Sequence, residues 1–165
     1  MISSLSVATT TFMDEAYTFL DCPGSVEFIH DMRAVLPAVD AAVVVCEADE
    51  RKLPALELTL RELEAAGLPR LLFINKAETA PGSLRDALAL LQPASRVPLL
   101  MRQIPLIEGE AAVGFIDLAL ERAFIWREQA PSEVVALPTG ELPREKAERF
   151  TMLERLADHD DVLME

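Results

Sequence analysis

Two apolar runs, Ala41–Cys46 and Arg70–Ile74, flank a stretch in which Leu56, Leu60 and Leu63 recur at helical spacing. Pro54 suits a first helical turn, and Gly67 supplies a residue that closes a helix in the left-handed conformation. Strand, helix, strand in that order calls for a parallel pair, and runs this apolar predict strands covered on both faces. A further helix is predicted over Gly82–Leu91, with Leu84, Leu88 and Leu91 on one face, ending before Pro93. This alternation is the mark of a doubly wound α/β domain. Upstream, Leu5–Phe12 and Ala16–Leu20 read as two antiparallel strands joined by the polar link Met13-Asp14-Glu15. Val26–Leu36 reads as a helix stopped by Pro37, because proline excludes the residue before it from helical geometry.

After Gln92 the pattern changes. Val97–Ile107 and Val113–Trp126 are strand-rich, with Glu108-Gly109-Glu110 as the turn between them, and Pro131–Pro143 reads as a loop or edge segment. Arg144–Met164 has the spacing of an amphipathic helix, with Phe150, Leu153, Leu156 and Leu163 recurring. The expected organisation is an α/β part over 1–94 and an α+β part over 95–165.

Two tetrapeptides fall where strands end. Asp21-Cys22-Pro23-Gly24 closes the first hairpin and Asn75-Lys76-Ala77-Glu78 follows the second apolar run. In an Asp-x-x-Gly turn the carboxylate holds Mg²⁺ through water, and the glycine N–H approaches a terminal phosphate that a Cβ would hinder. In an Asn-Lys-x-acid turn the carboxylate accepts hydrogen bonds from two N–H groups of guanine while the lysine stem covers the ring. Ordinary turns and solvated strand ends use the same residues, so order and context decide: open α/β sheets bind ligands at the carboxyl ends of their strands.

In that context Ala8-Thr9-Thr10-Thr11-Phe12, Asp21-Cys22-Pro23-Gly24-Ser25-Val26-Glu27-Phe28, Val39 to Val45 and Asn75-Lys76-Ala77-Glu78 closely resemble the nucleotide-binding domain of elongation factor G and its paralogues. Val97–Trp126, with Gly114-Phe115-Ile116-Asp117-Leu118 and Ala123-Phe124-Ile125-Trp126, resembles the subdomain inserted in that domain. The resemblance implies a translational GTPase using GTP or GDP with Mg²⁺. The residues that would touch nucleotide are Asp21, Cys22, Pro23, Gly24, Ser25, Asn75, Lys76, Ala77 and Glu78, with Asp21 on the metal. It further implies action at the ribosome and contact with ribosomal stalk proteins.

The chain departs from the family in four respects. No Gly-x-x-x-x-Gly-Lys-Ser/Thr occurs in it, so the expected fold is an incomplete P-loop GTPase-type sheet lacking the first strand and phosphate loop, followed by the inserted subdomain, truncated at its C-terminus. The family's fifth motif, which lies beyond the inserted subdomain, is also missing. Ser25 stands where the family places a water-orienting histidine, and Glu78 replaces an aspartate, keeping the carboxylate one methylene further out. No catalytic residue is assigned, and the isolated chain is expected to be deficient in hydrolysis. The competing expectation is a nucleotide-free interaction module that binds stalk or other proteins; an unrelated doubly wound hydrolase or flavodoxin-like protein explains neither tetrapeptide.

Charge narrows the partners. A formal net charge of −13 and a pI near 4.5 oppose nonspecific nucleic-acid binding by this piece, because neutralising phosphates takes a basic face. Cys22 and Cys46 read as reduced, partly buried residues. No apolar stretch has the length of a membrane span and no signal peptide is evident, so the expected location is the cytoplasm. His30 and His159 read as exposed helix residues, and Asp158, Asp160 and Asp161 lack the spacing of a cation loop.

Overall fold

A computed structural model of the 165-residue chain describes residues 5–76, 82–109 and 111–158. The chain divides into two compact units, Met1–Asn75 with Pro93–Ser95, and Lys76–Gln92 with Arg96–Glu165.

The first unit opens with an antiparallel hairpin of β1 (Ser6–Phe12) and β2 (Glu15–Asp21). Met13 and Asp14 turn the chain with φ of 51° and 65°, the doubly left-handed turn whose twist matches that of the flanking strands. A 3-10 turn at Val26–Phe28 leads into α1 (Ile29–Val35), and a second at Leu36–Ala38 follows it, so the α-helix ends beside Pro37 as expected. Then come β3 (Ala42–Cys46), α2 (Leu53–Ala65) and β4 (Arg70–Ile74). The two strands are parallel, with Ala42 opposite Arg70 and Cys46 opposite Ile74. Leu56, Leu60 and Leu63 are the buried residues of α2, a proline lies in its first turn, and Gly67 has φ of 66°.

One expectation needs correction here. The strands are not covered on both faces: Val43, Val45, Leu71 and Phe73 are 56–64% exposed, while the alternate residues are half-buried. Register makes Val43 a neighbour of Leu71 and Val45 a neighbour of Phe73, so the exposed residues form one continuous open face. Among the described residues β1–β2 and β3–β4 are separate sheets, and no ladder joins the strand ending at Asp21 to the strand ending at Cys46.

The second unit holds α3 (Leu84–Leu91), a four-stranded antiparallel sheet in the order β5 (Gln103–Glu108), β6 (Ala111–Asp117), β7 (Arg122–Arg127), β8 (Ala130–Val135), and α4 (Leu142–Ala157). Ser83 caps α3 by accepting from the Asp86 N–H while the Asp86 carboxylate accepts from the Ser83 N–H; that bond, with one from the hydroxyl, holds the carboxyl below its usual range. Ile104, Leu106, Ile116, Leu118, Ala123 and Met152 form the core between the sheet and α4.

Its strands are shorter than the sequence predicts. Residues 97–102 are not strand, and the Gln92 side chain takes up two of their backbone groups, donating to the Val97 carbonyl at 3.0 Å and accepting from Leu99 N–H at 2.9 Å. Val113–Trp126 is broken by a turn in which Asp117 Oδ1 accepts from the N–H groups of Ala119 and Leu120 and from Arg102. The segment expected as loop or edge begins as edge strand β8, which pairs with β7 alone and so accommodates Pro131. Among the described residues α4 starts at Leu142 with a proline in its first turn, and its predicted extension over 159–164 lies outside them.

The buried face of α4 includes two glutamates. Glu148 pairs with Arg85 at 2.5 Å, whereas Glu145 is 3% exposed and its Oε1 has no hydrogen-bond partner among the described residues. A buried oxygen left unsatisfied costs about 1–3 kcal/mol. Glu145→Met, similar in length and free of that oxygen, is therefore expected to raise the stability of this unit by about 1–2 kcal/mol. Urea unfolding followed by fluorescence of Trp126, the chain's single tryptophan, measures it. A lowered midpoint would mean that the helix N-terminus holds the carboxylate more strongly than burial penalises it.

Candidate functional site

The first turn is anchored through its proline. Asp21 is the last residue of β2 and is exposed, Cys22 is half-buried, Pro23 is buried, Gly24 is exposed and Ser25 is half-buried. The chain therefore enters the body at Pro23 and presents Asp21 and Gly24 to solvent on either side. Burial, reinforced by the nearby negative charges of Asp21 and Asp31, pushes the Cys22 thiol up, and its proton points to the Leu20 carbonyl at 3.9 Å. Such a thiol stays protonated and is a poor nucleophile. Cys46, half-buried at the end of β3, is likewise shifted up by burial, and both cysteines are free.

Among the described residues nothing requires position 24 to be glycine. Its φ lies outside the left-handed region, and a Cβ built on it would meet no atom within 4 Å. What the missing side chain leaves is open approach to the backbone. Ser25 precedes the first 3-10 turn and its carbonyl accepts from Phe28 N–H at 2.9 Å, but its hydroxyl makes no capping bond.

The second turn is held by the parallel pair. Asn75 N–H donates to the Cys46 carbonyl at 2.7 Å, carrying the β3–β4 pairing one step past the strand end. Lys76 follows with φ of 55°, a left-handed conformation that disfavours non-glycine residues. Both are exposed, and both make further interactions. Ala77 and Glu78 lie outside the described residues.

A third loop at this strand end goes beyond what the motifs predict. After β3, Asp49 caps a 3-10 turn by accepting from Arg51 N–H at 3.0 Å, and Arg51 Nη2 lies 2.7 Å from Asp49 Oδ2. These bonds hold the Asp49 carboxyl down at about 2. Lys52 pairs with Glu47 at 2.7 Å, so each of these two acids faces a cation. The sequence signal for it is Glu47-x-Asp49-x-Arg51-Lys52, acids followed by bases at turn spacing.

An Mg²⁺ ion bound with nucleotide usually takes one or two carboxylates and completes its shell with phosphates and water. Asp21 fits that demand as a single exposed carboxylate beside an open glycine. Among the described residues no group of three or more His, Cys, Asp or Glu side chains could hold a metal by itself.

Residues 2–124 match the model of the elongation factor Tu GTP-binding domain. The chain belongs to that family. Over its whole length it is 36% identical to an elongation factor G-like protein of Synechocystis sp., of which it covers 25%. A crystal structure of a protein from Thermus thermophilus superposes with a TM-score of 0.81 over 97% of the chain and 24% of that protein, at 29% identity. The chain thus spans about a quarter of the length of these relatives. The findings agree on a mixed α/β segment that belongs to the elongation factor Tu GTP-binding domain family and is similar over its whole length to part of an elongation factor G-like protein, and GTP binding is the property that family is named for. Among the described residues no helix is long and apolar enough to cross a membrane.

Proposed function

We propose that this chain is the guanine-nucleotide-binding segment of an elongation-factor-G-like GTPase that acts at the ribosome in the cytoplasm, with residues 1–94 carrying nucleotide contacts and 95–165 forming an inserted subdomain that meets stalk proteins. The observation that carries this reading is the Asn75-Lys76 turn: backbone-anchored to β3, exposed, left-handed at Lys76 and at the carboxyl end of a parallel pair. That is where an open α/β sheet receives its ligand. Mg²⁺ bound together with the nucleotide would supply positive charge to offset that of its phosphates. Asp21 would hold it through water, Gly24 N–H would donate to the terminal phosphate, and Asn75, Lys76 and Glu78 would read the base. The separation of β2 from β3 supports a further strand between them in the intact protein.

Hydrolysis makes a separate demand. Phosphoryl transfer depends on positioned donors and charge stabilisation, and Ser25 offers a short neutral hydroxyl for orienting water. The chain alone is proposed to bind without useful turnover.

Base selectivity tests the reading. Saturating amounts of GDP and ADP are compared by the chemical-shift changes they cause at Asn75 and its neighbours. GDP is expected to perturb this turn and ADP to leave it unchanged, with the response lost in Lys76→Ala. Equal responses to both nucleotides would overturn guanine reading by this turn, and no response there would favour an interaction module that has left nucleotide behind, for which Ser25 is the supporting residue.

A further inference from the structure

The segment that follows the Asp21–Ser25 turn is held in an unusual way. From Val26 to Ala38 it runs through a 3-10 turn, α1 and another 3-10 turn, and none of its side chains is buried. Ile29, Met32, Val35 and Leu36 are half-buried. No side chain caps either the first turn or α1, and α1 is seven residues long, too short to persist on its own helicity. By contrast α2 has thirteen residues and three buried leucines.

A two-pronged ion pair joins these helices. Arg33 Nε donates to Glu62 Oε2 at 2.6 Å and Arg33 Nη2 donates to Glu62 Oε1 at 2.6 Å. The Glu62 side chain is 19% exposed and that of Arg33 46% exposed, so the acceptor is set into α2 and the donor reaches across to it. Hydrogen bonding by Arg33 holds the Glu62 carboxyl below its usual range, and Arg33 is shifted up in return. A planar fork on a carboxylate fixes orientation as well as distance, which a single ammonium does not.

We propose that Arg33–Glu62 is a releasable clamp: it holds the Val26–Ala38 segment in one position on α2, and breaking it frees the segment as a unit while α2 stays folded. The two helices differ in what else retains them. Half-buried residues and a short helix leave the segment at the low-stability end of the fold, so one well-formed polar contact is a large fraction of what holds it. Three buried leucines make α2 indifferent to the same loss. The segment also continues directly from Gly24 and Ser25, so its release would loosen the turn assigned to the terminal phosphate. That last consequence rests on the nucleotide reading, and the clamp itself does not.

Amide hydrogen exchange on the nucleotide-free 165-residue chain tests it. In Glu62→Gln and in Arg33→Lys, amides of residues 26–38 are expected to exchange roughly three- to tenfold faster, with residues 53–65 unchanged. The reversed pair Arg33→Glu with Glu62→Arg is expected to recover most of the protection. Added salt should speed exchange over 26–38 in the wild type and have little effect in Glu62→Gln. Identical exchange over 26–38 in wild type and Glu62→Gln, or equal loss over 53–65, would overturn the clamp, as would failure of the reversed pair to recover protection. Because nucleotide is absent throughout, a negative result here leaves the guanine-binding reading standing, and failure of nucleotide to bind leaves the clamp standing.

Discussion

Guanine nucleotides titrated into this 165-residue chain are expected to bind more weakly than 1 μM, a threshold of about 8 kcal/mol, with GTP and GDP within about threefold of one another. The physical reason lies in what each part of the nucleotide would meet. Base recognition as proposed for Asn75, Lys76 and Glu78 would use a few hydrogen bonds and the cover of a lysine stem, and those residues are present. Phosphate recognition in P-loop proteins comes from a run of backbone N–H groups at a helix N-terminus together with a lysine. The sequence holds no Gly-x-x-x-x-Gly-Lys-Ser/Thr to supply them. Under the proposed reading Gly24 would contribute one N–H and Asp21 one carboxylate for Mg²⁺, and neither would replace that cradle. Since the terminal phosphate would be the group most dependent on the cradle, its presence should change affinity little. Titration calorimetry in the presence of Mg²⁺ measures both quantities. Submicromolar affinity with a strong preference for GTP would show that other groups of this chain surround the phosphates.

The parts of the fold legible in the sequence are those where local chemistry decides. Leu56, Leu60 and Leu63 set the face of α2, Gly67 takes its left-handed conformation, and Pro37 and Pro54 fall at helix boundaries. Burial is harder to read because it depends on neighbours: a run such as Ala-Val-Val-Val-Cys suggests a strand covered on both faces, yet a two-stranded pair leaves Val43 and Val45 open. The short strands of the second unit escape for a similar reason. Gln92 reaches seven residues ahead to Leu99, and Asp117 folds the next three residues onto its carboxylate, side-chain bonds that periodicity does not register. At the site, Asp21, Gly24, Asn75 and Lys76 are legible as motif residues, but the φ of Lys76 and the pairing of Asp49 with Arg51 are not. Each is a conformational choice made by the strand ends.

Gly114→Ala is expected to be the most damaging small substitution in the second unit. Gly114 is buried in the middle of β6, opposite Leu106 on one side and Ile125 on the other. The β5–β6 ladder shifts register close by, between Leu106 and Ile107, whereas the β6–β7 ladder runs regularly from Gly114–Ile125 to Asp117–Arg122. The neighbouring backbone of β7 comes so close that a Cβ on Gly114 would collide with the Phe124 carbonyl oxygen and lie 3.0 Å from Ile125 Cα. The obstacle is main chain, so no side-chain rotation relieves it: β7 must move away from β6, breaking the pairing that also carries the stacked rings of Phe115 and Phe124 at 5.0 Å. Overpacking of this kind costs about 1–3 kcal/mol when side chains yield, and the upper end or beyond applies where backbone must. Gly140→Ala supplies the contrast within the same unit, since a Cβ there meets nothing within 4 Å, and it is expected to change stability by less than about 0.5 kcal/mol. Trp126 sits in β7 beside the clash, 6.4 Å from the Phe115 ring, so its fluorescence during urea unfolding reports on the strands at issue. If Gly114→Ala and Gly140→Ala share the wild-type midpoint, β6 and β7 are not packed as closely as their register requires.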